Sequence, residues 1–358
     1  MGNKYKRKMK PYMKNRCREK ILSTNSTNLF VSTLYTLALS ISTNLPILPA
    51  LFSCTPMVQN VETRISMGHG WESGSLDAFT FNDDRMGSLD SYQHWDNFTG
   101  KDIGIRSQNG KKHIFICMNG QRERQDWAGI NSLASLEGIQ IDLREERRER
   151  LCMTGETVVK TGSTGIYDIH MRPMVSEVKV NSLRCDFTGK TYEGERLKDV
   201  RIYLTNVNAR CSITAESMIL PTEIINAGHA DYDEIESFLE PDMIYRELKE
   251  SIGKEGHDPG ISLLCYPNGS TKESPGTPFT KLVIEGRLEG ETFWWPIEIN
   301  RTEGTDEPGI YRNHQYIFDI CLTRKGTSDP DDILETDAAE INMSIRSWTE
   351  KEEYQVAY

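Results

Sequence analysis

Strict two-residue alternation of apolar and polar side chains limits the possible folds of this chain more than any other feature. Tyr316, Phe318, Ile320 and Leu322 share one face of a segment, and Ile341, Met343 and Ile345 share one face of another. A period of two matches a strand with one buried face and matches no helix. In the stretch 293–299, Phe293, Trp295, Ile297 and Ile299 point one way, while Trp294, Pro296 and Glu298 point the other. Trp295 is therefore expected in the core and Trp294 at a half-exposed edge. Pro296 lacks an N–H, so its strand belongs at a sheet edge or leaves out a ladder bond there. With residues 281–288 before it and Glu289-Gly290 as the turn, it reads as half of a hairpin.

Further strands are expected at 76–81, 103–106, 113–118, 139–143, 166–171, 175–187 and 200–207. Turn-rich spacing of this kind favours sandwiches over a parallel sheet. Helices are few and short. Asp126 is a candidate cap for a helix carrying Trp127, Ile130, Leu133 and Leu136, with Gly138 past its end, and a second helix is expected at 232–239. Residues 144–150 are all Arg or Glu and are expected in a solvated loop or at a strand edge that discourages pairing. A chain of 358 residues suits two domains. The best break is Gly162 to Gly165, which divides the body into 54–171 and 172–358.

The beginning of the chain reads as a targeting segment. Nine Lys/Arg and a single Glu fill residues 1–20, and no charge occurs from Ile21 to Ser53. Ser, Thr, Asn and Pro interrupt the apolar stretch too often for a membrane span, so 1–53 is expected to be a signal peptide. It ends Leu51-Phe52-Ser53-Cys54, which resembles a bacterial lipobox and makes Cys54 the expected lipidation site. The first twenty residues carry +8 of a formal net charge of −11, leaving the rest at −19. So acidic a body excludes nucleic-acid binding through a basic surface.

Cys117, Cys152, Cys185, Cys211, Cys265 and Cys321 remain in the body, enough for three disulfides whose connectivity is not readable. There is no C-x-x-C, H-E-x-x-H, G-x-S-x-G or G-x-G-x-x-G. The acidic stretch 329–337 departs from calcium-loop spacing. No metal, cofactor or catalytic residue is expected.

Several segments, in order, resemble the fimbrillins, the type V pilins of Bacteroidales. His113-Ile114-Phe115-Ile116-Cys117-Met118-Asn119 followed by a turn at Met153-Thr154-Gly155 is similar to their first domain, and 171–180 to the strand that opens their second. Arg201 to Val207, Tyr266-Pro267-Asn268 with 280–286, and Tyr311-Arg312-Asn313-His314-Gln315-Tyr316 with Gly326 to Pro330 and 341–348 complete the likeness. It covers the chain from about residue 110 onward. The resemblance implies an all-β chain with short helices: two transthyretin-like β-sandwich domains in tandem, with no catalysis. It further implies a lipoprotein precursor at the outer membrane, proteolysis after a basic residue that removes the first strand, and polymerisation with other fimbrial subunits by strand exchange. Arg85, after the candidate first strand 76–81, is the expected processing site, with Arg64 as runner-up. Ile341, Met343, Ile345, Trp348 and Val356 are the donor-strand candidates. Two other readings compete: an anchored surface lipoprotein that binds glycan or host ligand, with Trp294-Trp295 as a stacking platform, and a secreted hydrolase, for which the sequence shows no convergent nucleophile and base.

Overall fold

The computed structural model describes residues 60–67, 74–121, 123, 125, 127–162, 164–216, 219–301 and 307–348, and the backbone of 353–357. The expected signal segment, Cys54 and Asp126 lie outside them. Residues 60–173 form one three-stranded sheet, ordered β4 (Asp102–Gln108), β1 (Asn60–Ser66), β8 (Ile166–Asp168). They also form a five-stranded sheet, ordered β3 (Leu89–Phe98), β2 (Gly74–Asn82), β5 (Lys111–Met118), β7 (Met153–Lys160), β9 (Arg172–Pro173). Ile65, Ile103 and Ile105 from the first sheet and Leu76, Ala78, Ile114 and Ile116 from the second meet in one core.

Residues 176–357 repeat the plan. A five-stranded sheet is ordered β16 (Ile261–Cys265), β10 (Ser176–Cys185), β19 (His314–Leu322), β20 (Ala339–Ser347), β21 (Glu353–Ala357). A four-stranded sheet is ordered β15 (Tyr245–Glu247), β11 (Lys198–Thr205), β17 (Lys281–Leu288), β18 (Glu291–Glu298). Two short ladders complete the body: β12 (Val207–Asn208) with β14 (Ile224–Ile225), and β6 (Gln140–Asp142) with β13 (Arg210–Ser212). The second core is not confined to this half, since Phe79, Phe81, Phe115 and Trp127 belong to it.

The alternation does what its period requires. Tyr316, Phe318, Ile320 and Leu322 are all buried. The β17–β18 hairpin turns on Glu289 and Gly290, both at positive φ, the turn whose twist suits antiparallel strands. β18 lies at the edge of its sheet, where Pro296 lacks an N–H at little cost. Trp295 is fully buried, its indole N–H donating to the Arg324 carbonyl at 3.0 Å, and Trp294 is half-buried. Gly326 lets the following loop lie against this edge: a Cβ there would stand 2.1 Å from the Trp294 carbonyl oxygen.

Other expectations are corrected. The Trp127 to Leu136 stripe is not one helix but a 3-10 turn, Trp127–Gly129, and a separate helix α1, Leu133–Glu137. Ser132 caps α1 in a capping box with Ser135, because a serine at that point satisfies the first free N–H groups better than a continued turn would. The second helix, α2, stops at Glu236. Met153-Thr154-Gly155 opens β7 rather than forming a turn. The Arg/Glu run is folded into the body. Arg144 pairs with Asp142 and Glu223, and Arg148 donates to the Asp242 carbonyl at 2.9 Å and to Ser262. Glu146 is buried, accepting from the Tyr266 hydroxyl at 2.8 Å and the Cys152 N–H at 2.9 Å.

Arg312 joins the two halves. Its buried guanidinium donates to the carbonyls of Pro173 at 3.1 Å, Ala215 at 2.8 Å, Arg172 at 2.5 Å and Thr154 at 3.5 Å. Asn313 follows at positive φ, its N–H donating to the Val175 carbonyl and its own carbonyl accepting from the Trp348 N–H.

Glu146 makes stability depend on pH. Burial pushes its carboxyl from an ordinary 4.5 up to about 7. The folded chain then holds a proton that the unfolded chain has released, so this group's contribution is full below about 4.5 and is lost as pH rises through about 7. Across that window the loss is at most about 3 kcal/mol. Glu146→Gln, which mimics the neutral acid, should flatten that part of the profile. Urea melts of both proteins at pH 5 and pH 8 check it, and an equal pH dependence in the two refutes it.

Candidate functional site

The residues with a proposed part in assembly lie on the first and last strands. β1 is the first strand described, so the segment 76–81 is the middle of the second strand. The alternation of β1 is weak because Thr63 occupies an inward position between Val61 and Ile65. β1 lies between two neighbours, antiparallel to β4 and parallel to β8. Thr63, Ile65 and Met67 are buried, while Glu62 and Arg64 are exposed. Burying Ile65 and Met67 contributes a gross gain of about 3–6 kcal/mol. The remaining hold on β1 is its two ladders.

Arg85 sits at the exposed tip of the β2–β3 turn, where the Asp84 carboxylate accepts from the Met86 N–H at 2.9 Å and from the Ser88 hydroxyl at 2.7 Å. The Ser88 hydrogen bonds hold the Asp84 carboxyl below its ordinary value. Arg64 also has an exposed side chain, but its backbone lies inside both β1 ladders. A cut after Arg85 leaves β1 and β2 on one fragment. β2 is paired on both sides, with Leu76, Ala78, Phe79 and Phe81 buried. Its Asp77 accepts from the Tyr92 hydroxyl at 2.6 Å and lies 2.8 Å from His94 Nδ1.

At the other end, β20 sets Ile341 opposite Ile320, Met343 opposite Phe318 and Ile345 opposite Tyr316. Met343 is buried, and Ile341, Ile345 and Trp348 are half-buried against the core. β21 runs antiparallel along the far side of β20, with Val356 at the register position of Met343. β20 is paired on both sides; β21, at the edge, is paired on one.

Both ring nitrogens of His94 face carboxylates, Asp77 at 2.8 Å and Asp96 at 2.9 Å, and His113 faces Glu156 at 2.9 Å. Trp294 and Trp295 do not form a flat platform, because one is inside the core and the other's indole N–H donates to Glu285 at 3.2 Å. In the acidic stretch 329–337, Asp331 lies 3.4 Å from Lys281, and Asp337 pairs with Arg324. Among the described residues no group of three or more potential ligands could hold a metal ion, and no helix is long and apolar enough to cross a membrane. Among the longer strands, sequence reading missed β1, β3, β7 and β16; a short Val61-x-Thr63-x-Ile65 alternation was the available signal for β1.

Two expected outcomes follow from these geometries. An arginine-specific protease should cut the native chain after Arg85 well before Arg64, and the nicked protein should remain one species in gel filtration, separating only in denaturant. Prior cleavage at Arg64, or spontaneous loss of the fragment, would contradict it. Deleting residues 353–358 should leave a cooperative melt. Deleting 339–358 should abolish the second half's transition, because Ala339 and Met343 leave the core and β19 loses a ladder.

No family model and no curated protein matches this sequence. Solved structures match its fold. A Bacteroides eggerthii protein named provisionally for cell adhesion superposes with a TM-score of 0.61 at 14% identity, over 81% of this chain and 97% of that one. A fimbrilin from Porphyromonas gingivalis gives a TM-score of 0.58 at 13% identity, over 81% and 97%. The tip fimbrial protein Mfa3 of the same organism, truncated at its C-terminus, gives 0.52 at 14% identity, over 81% and 100%. The chain therefore has the all-β fold of the fimbrillin-type proteins.

Proposed function

We propose that this chain is a non-enzymatic subunit of a surface fimbrium serving adhesion. It is exported as a precursor whose signal, residues 1–53, is removed and whose Cys54 is lipidated, so that the lipid holds it at the outer membrane before assembly. Residues 54–171 and 172–358 act as two sandwich domains; the division of the sheets between 60–173 and 176–357 supports that reading. The observation that carries the proposal is the fold shared with fimbrilin over nearly that protein's whole length.

Processing after Arg85 severs the first strands from the body and leaves them held only by their ladders and core, so that a strand from another fimbrial subunit, the proposed partner, can displace them. The vacated face, left by Val61, Thr63, Ile65 and Met67 of β1 together with the buried side chains of β2, would take strands with apolar residues at alternate positions. A donor burying about five such side chains gains roughly 7–15 kcal/mol before ordering costs, more than β1 does with Thr63 in its row. β21 is the element of the C-terminal hairpin released at least cost, since one ladder holds it, and Val356 lies on it. Ile341, Met343 and Ile345 on β20 carry the stronger apolar pattern but are held by two ladders.

Intact mass and N-terminal sequencing of protein recovered from cell-surface fibres test this. The proposal requires a start at Met86, directly after Arg85, and any other start residue rejects that processing site. A lipidated Cys54 at the N-terminus of the recovered protein would favour the anchored lipoprotein instead.

A further inference from the structure

The six cysteines of the described residues are all buried and unbonded. Among them one pair has its sulfurs in contact: Cys117 Sγ lies 3.9 Å from Cys152 Sγ. Cys117 is next to last in β5, and Cys152 stands directly before β7. Met118 opposes Met153, so residue 152 comes opposite 119 and Cys117 is its diagonal neighbour on one face of the sheet. Asn119 follows β5 at positive φ with its N–H donating to the Ser75 carbonyl, so the β5–β7 ladder stops short of the position opposite Cys152. A bond at about 2.05 Å needs rotation of both side chains and, because diagonal neighbours stand about 7–8 Å apart at Cα, a small main-chain approach at the end of the ladder.

Contact with Cys117 and then burial push the Cys152 thiol well up, which leaves that thiol inert as a nucleophile in the folded chain. Oxidation therefore belongs to folding, when the β5–β7 ladder has aligned the sulfurs and the core is still open. We propose that Cys117 and Cys152 form a disulfide when the chain folds in an oxidising compartment. One thiolate attacks a dithiol oxidant's disulfide and expels one of its sulfurs as a thiol; the second cysteine attacks the mixed disulfide and expels the other. Two cysteine protons and two electrons pass to the oxidant, whose disulfide is reduced to two thiols. The bond fastens the segment between them, which carries α1 and the Arg/Glu run, to the edge of β5 and β7. The pairing is a matter of geometry; only its occurrence in cells rests on the proposed export.

The full-length protein, reduced and denatured, would be refolded in a reduced and oxidised glutathione buffer, alkylated in denaturant and digested without reductant. A linked peptide pair containing Cys117 and Cys152 is expected, with a melting midpoint several degrees higher than in dithiothreitol. Alkylation of both cysteines, or linkage of either to Cys211, overturns the pairing. Cys152→Ala should lose the linked peptide and the dithiothreitol effect, whereas Cys265→Ala should keep both; the wild-type peptide map decides the matter even if a variant does not fold. The same map on protein from the cell surface separates the two readings. Linkage in the buffer with free thiols in cells counts against export to an oxidising compartment and leaves the pairing standing.

Discussion

The buried guanidinium of Arg312 is the interaction on which the arrangement of the two halves depends. A guanidinium stays charged at any physiological pH, even though burial lowers its pKa, and each N–H must find an acceptor. Carbonyls at Thr154, Arg172, Pro173 and Ala215 supply them, three from the first half or its exit and one from the loop after β13. Main-chain carbonyls satisfy the donors without adding a second buried charge. The geometry is therefore demanding: displacing either half would strand a charge and several carbonyls away from water.

Around this point the segments that resemble fimbrillins serve as knots. Tyr266 ties the Glu146 carboxyl, Asn268 donates to the Pro278 carbonyl and the Thr280 hydroxyl, and Tyr316 accepts from the Tyr311 N–H while donating to the Gly309 carbonyl. Asn206, Asn226, Asn300 and Asn313 all sit at positive φ, where asparagine is better tolerated than most residues. These residues hold loops in place. A core accepts many apolar substitutions, whereas a bend with a defined hydrogen-bond set accepts few.

The strands at the two ends differ in how firmly they are held. β21 has one ladder, β1 has two ladders and a modest apolar face, and β2 and β20 have two ladders together with buried side chains. Two ladders on each of β1 and β2 hold those strands independently of the peptide bond at the exposed β2–β3 turn.

Alternation alone determined the β17–β18 hairpin, the buried face of β19, the edge position of β18 and the separate fates of Trp294 and Trp295. Each of these depends on a period of two or on the missing N–H of Pro296, both local properties. β3 escaped because it is half-buried along most of its length, so no face stands out, and β1 because Thr63 breaks its apolar row. The Arg/Glu run was read as solvated, since nothing local reveals that Tyr266 and Ser262, more than a hundred residues away, would supply partners for Glu146 and Arg148. Candidate processing and donor residues could be named from the sequence, but which of them lie at an open turn, inside paired ladders or on an edge strand was decided by tertiary structure. Exposure and ladder pairing arise only when distant strands meet, and no local pattern encodes them.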